Sequence, residues 1–189
     1  MKKSNDTKKF VMLIFGAPAS GKYTISQKIA ERTQAVVLDN HHFNNVIMPF
    51  VDIDNHSLPD ICLATYQIRT LFLDVVKKHY KKQESHSYVF TNVLLDDAMD
   101  YAAFDELVSF AKDIDAVFIP VELCCREDVL CHRVTDVQRA ERFKLTDKDI
   151  LKSFLETHKM ATIKHDNLIR IDVSDKTAEE VTDLICQFI

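Results

Sequence analysis

At 189 residues and 47% apolar content, the chain is long enough to bury one substantial core and short enough to be a single domain. A net charge of −5, with no basic stripe interleaved by aromatics, leaves a nucleic-acid partner without an electrostatic footprint. Its most apolar runs, Phe10 to Phe15 and Ala116 to Leu123, fall far short of the ~20 residues a membrane span needs; five cysteines behind no secretory leader point to reduced thiols and an expected cytoplasmic location.

Phe10 to Phe15 reads as a strand, and Gly16-Ala17-Pro18-Ala19-Ser20-Gly21-Lys22-Tyr23-Thr24 follows it. The chain has only two glycines, at the first and sixth positions of the spacing G-x-x-x-x-G-K. Glycine is needed where backbone takes positive φ or approaches a ligand closely, so this loop has the demanding geometry. Backbone N–H groups of residues 17 to 23 are expected to form a nest around a β-phosphate at a helix N-terminus, with Lys22 bridging the β- and γ-phosphates. The usual Ser or Thr that ligates Mg²⁺ directly after the lysine is replaced by Tyr23, and Thr24 comes one residue later, which weakens the metal assignment and leaves the phosphate cradle intact. A helix then runs to about Thr33, with Ile25, Ile29 and Ala30 on one face.

Ala35 to Leu38 is a short apolar strand, and strand, helix, strand makes a right-handed βαβ unit. Ligands gather at the carboxyl ends of such strands, so Asp39 falls on the same edge as the loop. Residues 39 to 59 lack periodicity and form the expected acceptor region. There Asp39 acts as general base, orients an acceptor hydroxyl or caps a turn, and Asn40, His41 and His42 supply hydrogen bonds or remain solvated loop residues. A helix from about Ser57 to Lys82 carries Arg69, which either reaches an anionic acceptor or sits in a surface ion pair.

Ser87 to Val93 is a third strand whose end delivers Asn92, Asp96 and Asp97 to the same edge. One of these carboxylates is expected to support Mg²⁺ through water, and Asp96 is the candidate taken. A helix spans Ala98 to about Ile114, and Ala116 to Leu123 is a strand covered on both faces. Beyond it Arg126, Arg133, Arg139 and Arg142 recur at intervals that suit either arginines closing over a phosphoryl group or a salt-bridged helix using Glu127, Asp128, Asp136 and Glu141. The loose cluster of Cys124, Cys125, Cys131 and His132 lacks metal-site spacing and reads as core thiols. Thr146 with Asp149 opens a helix to about Met160, Leu168 to Ile171 is a fifth strand, and a last helix from Thr177 has Glu180 in a capping box.

On these residues the chain resembles the P-loop small-molecule and nucleoside-monophosphate kinases, including adenylate, shikimate and gluconate kinases. GAPASGKYT is similar to the adenylate kinase loop, in which a non-hydroxyl residue also stands between the lysine and a threonine. The chain also resembles kinase-like bacterial P-loop proteins with GKxT, an Asn-His pair after the second strand (Asn40-His41) and paired arginines before the penultimate helix (Arg139 and Arg142). The resemblance implies an α/β three-layer fold with a five-stranded parallel sheet of order 2-3-1-4-5, one domain over 1–189, an acceptor-binding insertion at about 40–83 and a short lid at about 134–147. It implies ATP and Mg²⁺ as cofactors, Arg133 stacked on adenine, Arg139 and Arg142 on the phosphates, a small-molecule acceptor, and a monomer or homodimer. The mid-chain arginine motif of nucleotide acceptors is not found, so the acceptor stays open. The expected activity is phosphoryl transfer, and the alternative is a nucleotide-binding protein without efficient transfer.

Overall fold

The computed structural model describes residues 9–51, 58–80, 86–137, 139 and 144–189. Five strands, β1 (Phe10–Gly16), β2 (Val36–Asp39), β3 (Tyr88–Asn92), β4 (Val117–Cys124) and β5 (Ile169–Asp172), form one parallel sheet in the order β2-β3-β1-β4-β5. Helices α1 (Lys22–Thr33), α2 (Asn40–Asn44), α3 (Leu58–His79), α4 (Ala98–Asp113), α5 (Glu127–Arg133), α6 (Lys148–Thr157) and α7 (Ala178–Cys186) complete the described elements.

The central strand explains the layering. β1 is apolar at every position before Gly16, so neither face can be left to water, and it is buried throughout. Its alternate side chains enter opposite layers. Val11, Leu13 and Phe15 pack with Phe90, Phe104, Leu107 and Phe110 on the face covered by α4. Phe10, Met12 and Ile14 pack with Ile25, Ile29, Val181 and Ile185 beneath α1 and α7. A smaller cluster of Ala19, Leu130, Cys131, Val134 and Leu151 lies under the phosphate-loop region, with Leu145 against it.

Several local expectations shift. Asp39 belongs to β2 itself, and the supposedly irregular stretch after it contains α2, which Asp39 caps by accepting from the His41 amide. The capping residue of α6 is Asp147, which accepts from the Asp149 and Ile150 amides at 2.8 and 3.0 Å, rather than Thr146. An aspartate at that position offers a short, ionised acceptor to the two leading N–H groups, which Thr146 stands one residue too early to do. The capping box of α7 forms between Thr177 and Glu180. No helix among the described residues is long and apolar enough to cross a membrane.

Candidate active site

The chain leaves β1 through Gly16 at φ +149° and enters α1 through Gly21 at φ +94°. A Cβ on Gly16 would lie 2.5 Å from the Leu123 carbonyl oxygen, so the loop is drawn against the end of β4 and only glycine fits. Ala19 also takes positive φ, +66°, without being glycine. The loop thus wraps tightly, with positive φ at Gly16, Ala19 and Gly21 and the Ser20 amide donating back to the Ala17 carbonyl at 3.3 Å, the kind of turn from which anion nests are built.

Lys22 folds back over this loop, its Nζ donating to the Gly16 and Ala17 carbonyls at 2.9 and 2.8 Å. Burial of the ammonium pulls its pKa down to about 7, with Asp39 opposing the fall and Lys144 and Arg139 adding to it. The carbonyls therefore hold a group with little electrostatic reason to keep its proton. An anion placed in the nest would supply that reason.

Asp39 is buried at the end of β2, at 4% exposure. Its Oδ1 accepts from Thr91 Oγ1 at 3.0 Å and the His41 amide at 3.2 Å, and its Oδ2 from Lys144 Nζ at 2.7 Å. Burial by itself would raise its pKa; the Lys144 bond and charge and the His41 amide outweigh that and hold the carboxyl below the usual carboxylate range. Burial pushes the pKa of His41 down, and among the described residues its buried Nδ1 has no hydrogen-bond partner. Lys144 also stands over the Tyr23 ring, 4.5 Å from its centroid. Sequence reasoning missed Lys144, because it lies 105 residues from Asp39 in a stretch where only arginines drew notice.

The other expected residues divide. Arg139 is half-buried, donates through Nε to the Leu145 carbonyl at 2.8 Å, and is near enough to Lys22 to lower its pKa. Arg142 lies outside the described residues. Arg133 binds the Val173 carbonyl at 2.9 Å and lies against Cys125, between α5 and the loop after β5. Asp97 caps α4 through the Asp100 amide. Asp96 is tied to Lys159 at 2.7 Å and to the Tyr101 hydroxyl at 2.8 Å, and Thr24 is exposed on α1. With Tyr23 in place of a serine or threonine and both Asp39 and Asp96 already ion-paired, the donor set does not fit a divalent ion held by the protein. Among the described residues no group of three or more His, Cys, Asp or Glu side chains could hold a metal ion.

Two cavities open near this edge. One, of about 350 Å³, lies beside Gly16, Ala17 and Leu123 to Cys125. The other, of about 240 Å³, is lined by Asn40, Asn44, Thr65, Arg69, Asn92 and Asp100 among others. Arg69 is not in a surface pair: it is 6% exposed, donates through Nε to Glu106 at 3.0 Å and stacks on Tyr66. Among the described residues its buried Nη2 and the buried Thr65 Oγ1 have no hydrogen-bond partner.

No family profile matches the chain, and no curated protein matches it in sequence. Solved structures do match in fold. A provisionally assigned kinase of Chloroflexus aurantiacus has a TM-score of 0.64 at 14% identity, over 96% of each chain. A sugar kinase of a Janibacter species gives 0.62 at 14%, over 96% of this chain and 94% of that one. The APS kinase of Mycobacterium tuberculosis, solved in complex with AMPPNP and APS, gives 0.56 at 14%, over 96% and 97%. At this identity the likeness concerns architecture, and the chain has the fold of the P-loop kinases.

Proposed function

We propose that the chain is an ATP-dependent phosphotransferase acting on a small-molecule acceptor. The observation that carries this reading is a cluster of basic groups: Lys144 pairs with the buried carboxylate of Asp39, and Lys22 and Arg139 lie within electrostatic reach, so that among the described residues the cations outnumber the buried carboxylate at the mouth of a glycine-bounded loop. Asp136 offsets part of the Arg139 charge. The remaining excess calls for a polyanion, and a triphosphate satisfies both the nest and the cations.

In this reading Gly16, Ala17, Pro18, Ala19, Ser20, Gly21, Tyr23 and Thr24 wrap the β-phosphate with backbone amides, except at Pro18, which has none. Lys22 exchanges the Gly16 and Ala17 carbonyls for phosphate oxygens. As the bond from the γ-phosphorus to its bridging oxygen breaks, a bond forms to the acceptor oxygen, and the charge spread over the equatorial oxygens falls to Lys22, Arg139 and Arg142. Asp39, held ionised, orients the acceptor hydroxyl through a hydrogen bond, and that hydroxyl's proton passes to an oxygen of the transferred phosphoryl group as the new bond to phosphorus forms. Arg133 supports the nucleotide side. Magnesium that accompanies ATP is carried by the nucleotide, since Thr24 and Asp96 do not assemble a site for it.

The domain reading stays with this proposal: one domain over 1–189, in which the stretch 40–83 carries the acceptor cavity and 134–147 closes over the phosphates. The alternative, nucleotide binding without transfer, draws on the Asp39–Lys144 pair, which leaves Asp39 Oδ2 only its second lone pair for an acceptor hydroxyl. The deciding experiment is calorimetric titration with ATP followed by a screen for acceptor-stimulated ADP release over sugars, sugar acids, nucleoside monophosphates and aminoglycosides. Saturable ATP binding lost in Lys22→Ala, with at least one acceptor that accelerates turnover, is expected. Equal ATP binding by wild type and Lys22→Ala would sink the assignment.

A further inference from the structure

Lys144 belongs to no motif, yet its ammonium occupies a defined slot. In P-loop NTPases a divalent ion sits between the hydroxyl that follows the loop lysine and a carboxylate near a strand end. In this chain one ammonium lies between a carboxylate at a strand end and the residue that follows the loop lysine. Asp39, the last residue of β2, has Oδ2 2.7 Å from Lys144 Nζ. Tyr23, directly after Lys22, has its ring centroid 4.5 Å from the same nitrogen. An aromatic face attracts an ammonium through its quadrupole, whereas a small hard divalent ion requires oxygen ligands. The substitution at 23 and the lysine at 144 therefore suit each other.

The lysine is built in rather than loosely draped. Its side chain is only 13% exposed. Its backbone amide donates to the Arg139 carbonyl at 3.2 Å, and the next residue, Leu145, packs on the cluster that includes Ala19. Arg139 Nε in turn holds the Leu145 carbonyl at 2.8 Å. With its own amide on Arg139 and its neighbour Leu145 so anchored, Lys144 delivers one cation beside Tyr23 and Asp39. Asp39 keeps its remaining polar contacts, to Thr91 and the His41 amide, on the other oxygen.

We propose that the Lys144 ammonium takes the place of the loop-held metal ion, remaining beside Asp39 and Tyr23 while it donates a hydrogen bond to the terminal phosphate of a bound nucleoside triphosphate. The inference rests on the nucleotide-binding reading above. Its consequence is that the chain binds the triphosphate without a divalent ion. No bond is made or broken in this step, and the ammonium acts as a fixed positive charge that also keeps Asp39 ionised.

Calorimetric titration of ATP in excess Mg²⁺ and in excess EDTA tests it, with Lys144→Met, Lys144→Arg and Tyr23→Ser beside the wild type and thermal melting to verify folding. The wild type is expected to bind in EDTA within about threefold of its Mg²⁺ affinity. Lys144→Met is expected to lose about tenfold or more in EDTA, the scale of one charge-assisted hydrogen bond, and to recover when Mg²⁺ is added. Lys144→Arg is expected to keep EDTA binding. Tyr23→Ser, which puts a short aliphatic hydroxyl directly after Lys22 and leaves Lys144 in place, is expected to make Mg²⁺ strengthen binding by about fivefold or more. A wild type that binds in Mg²⁺ but not in EDTA, or a folded Lys144→Met that matches it in EDTA, overturns the inference and leaves the phosphotransferase reading standing. A wild type that binds under neither condition overturns both.

Discussion

Lys22 holds its proton loosely as long as carbonyls are its partners, because burial brings its pKa down to about 7. Phosphate oxygens favour the charged form, so the pKa in a nucleotide complex is raised and binding takes up a proton wherever the pH exceeds about 7. The sign follows directly: affinity for ATP is expected to fall as pH rises from about 7 to about 9, approaching tenfold per unit in the limit of one proton. Titrations in buffers of different ionisation enthalpy measure that uptake, and a flat affinity over this range would contradict it. At Gly16 the constraint is steric as well as conformational. Gly16→Ala places a methyl 2.5 Å from the Leu123 oxygen at a φ that L-residues rarely adopt. A loss on the order of 2 kcal/mol in urea unfolding is expected, together with loss of ATP binding. Gly21 has no such neighbour within 3.4 Å, its nearest contact being Ile25 Cδ1 at 3.7 Å, so Gly21→Ala is strained by φ alone.

At the scale of elements, the starts of helices separate what local sequence settles from what it leaves open. The Thr177–Glu180 capping box is read within four residues and forms as expected. At α6 two neighbouring residues both suit the cap, and the choice falls to Asp147, whose Oδ1 takes both leading amides. Asp147→Ala is therefore expected to cost about 1 kcal/mol, and Thr146→Ala, exposed one residue earlier, only a few tenths. Equal losses in paired chemical denaturation curves would mean that the cap is shared. The five strands were legible because each is a short apolar run flanked by turn chemistry. Helix α2 was not, since Asn40 to Asn44 has no apolar stripe and is nucleated by a cap that also belongs to the site. The scarcity of glycine has its own resolution. Gln34 and Asp115 take left-handed φ where chains commonly place glycine, while the two glycines present go where a side chain is excluded or strained.

For the whole molecule, the order 2-3-1-4-5 was legible only through the resemblance to P-loop kinases, because other parallel orders bury β1 equally well; that Gly16, Asp39 and Asn92 meet at one sheet edge was readable from parallel strands alone. Pairings across long stretches of chain were not: Asp39 with Lys144, 105 residues apart, and Arg69 with Glu106, 37 apart, depend on how α3 and the segment after α5 settle on the sheet. The second of these ties α3 to α4. Arg69 and Glu106 have side-chain exposures of 7% and 15%, and Thr70 Oγ1 also donates to Glu106. An ion pair this buried adds little over a well-packed apolar pair, yet removing one partner strands the other charge in a poor dielectric. Arg69→Ala is accordingly expected to destabilise by about 3 to 5 kcal/mol, and the double variant Arg69→Met with Glu106→Leu to recover much of that loss. Urea midpoints for the single and double variants measure the coupling. Because Arg69 also lines the 240 Å³ cavity, the double variant carries a second expectation: stability returns while acceptor-stimulated turnover does not. Recovery of both would assign the pair to holding α3 against α4 and nothing more, and failure of stability to recover would mean that the cavity collapses without its charged lining.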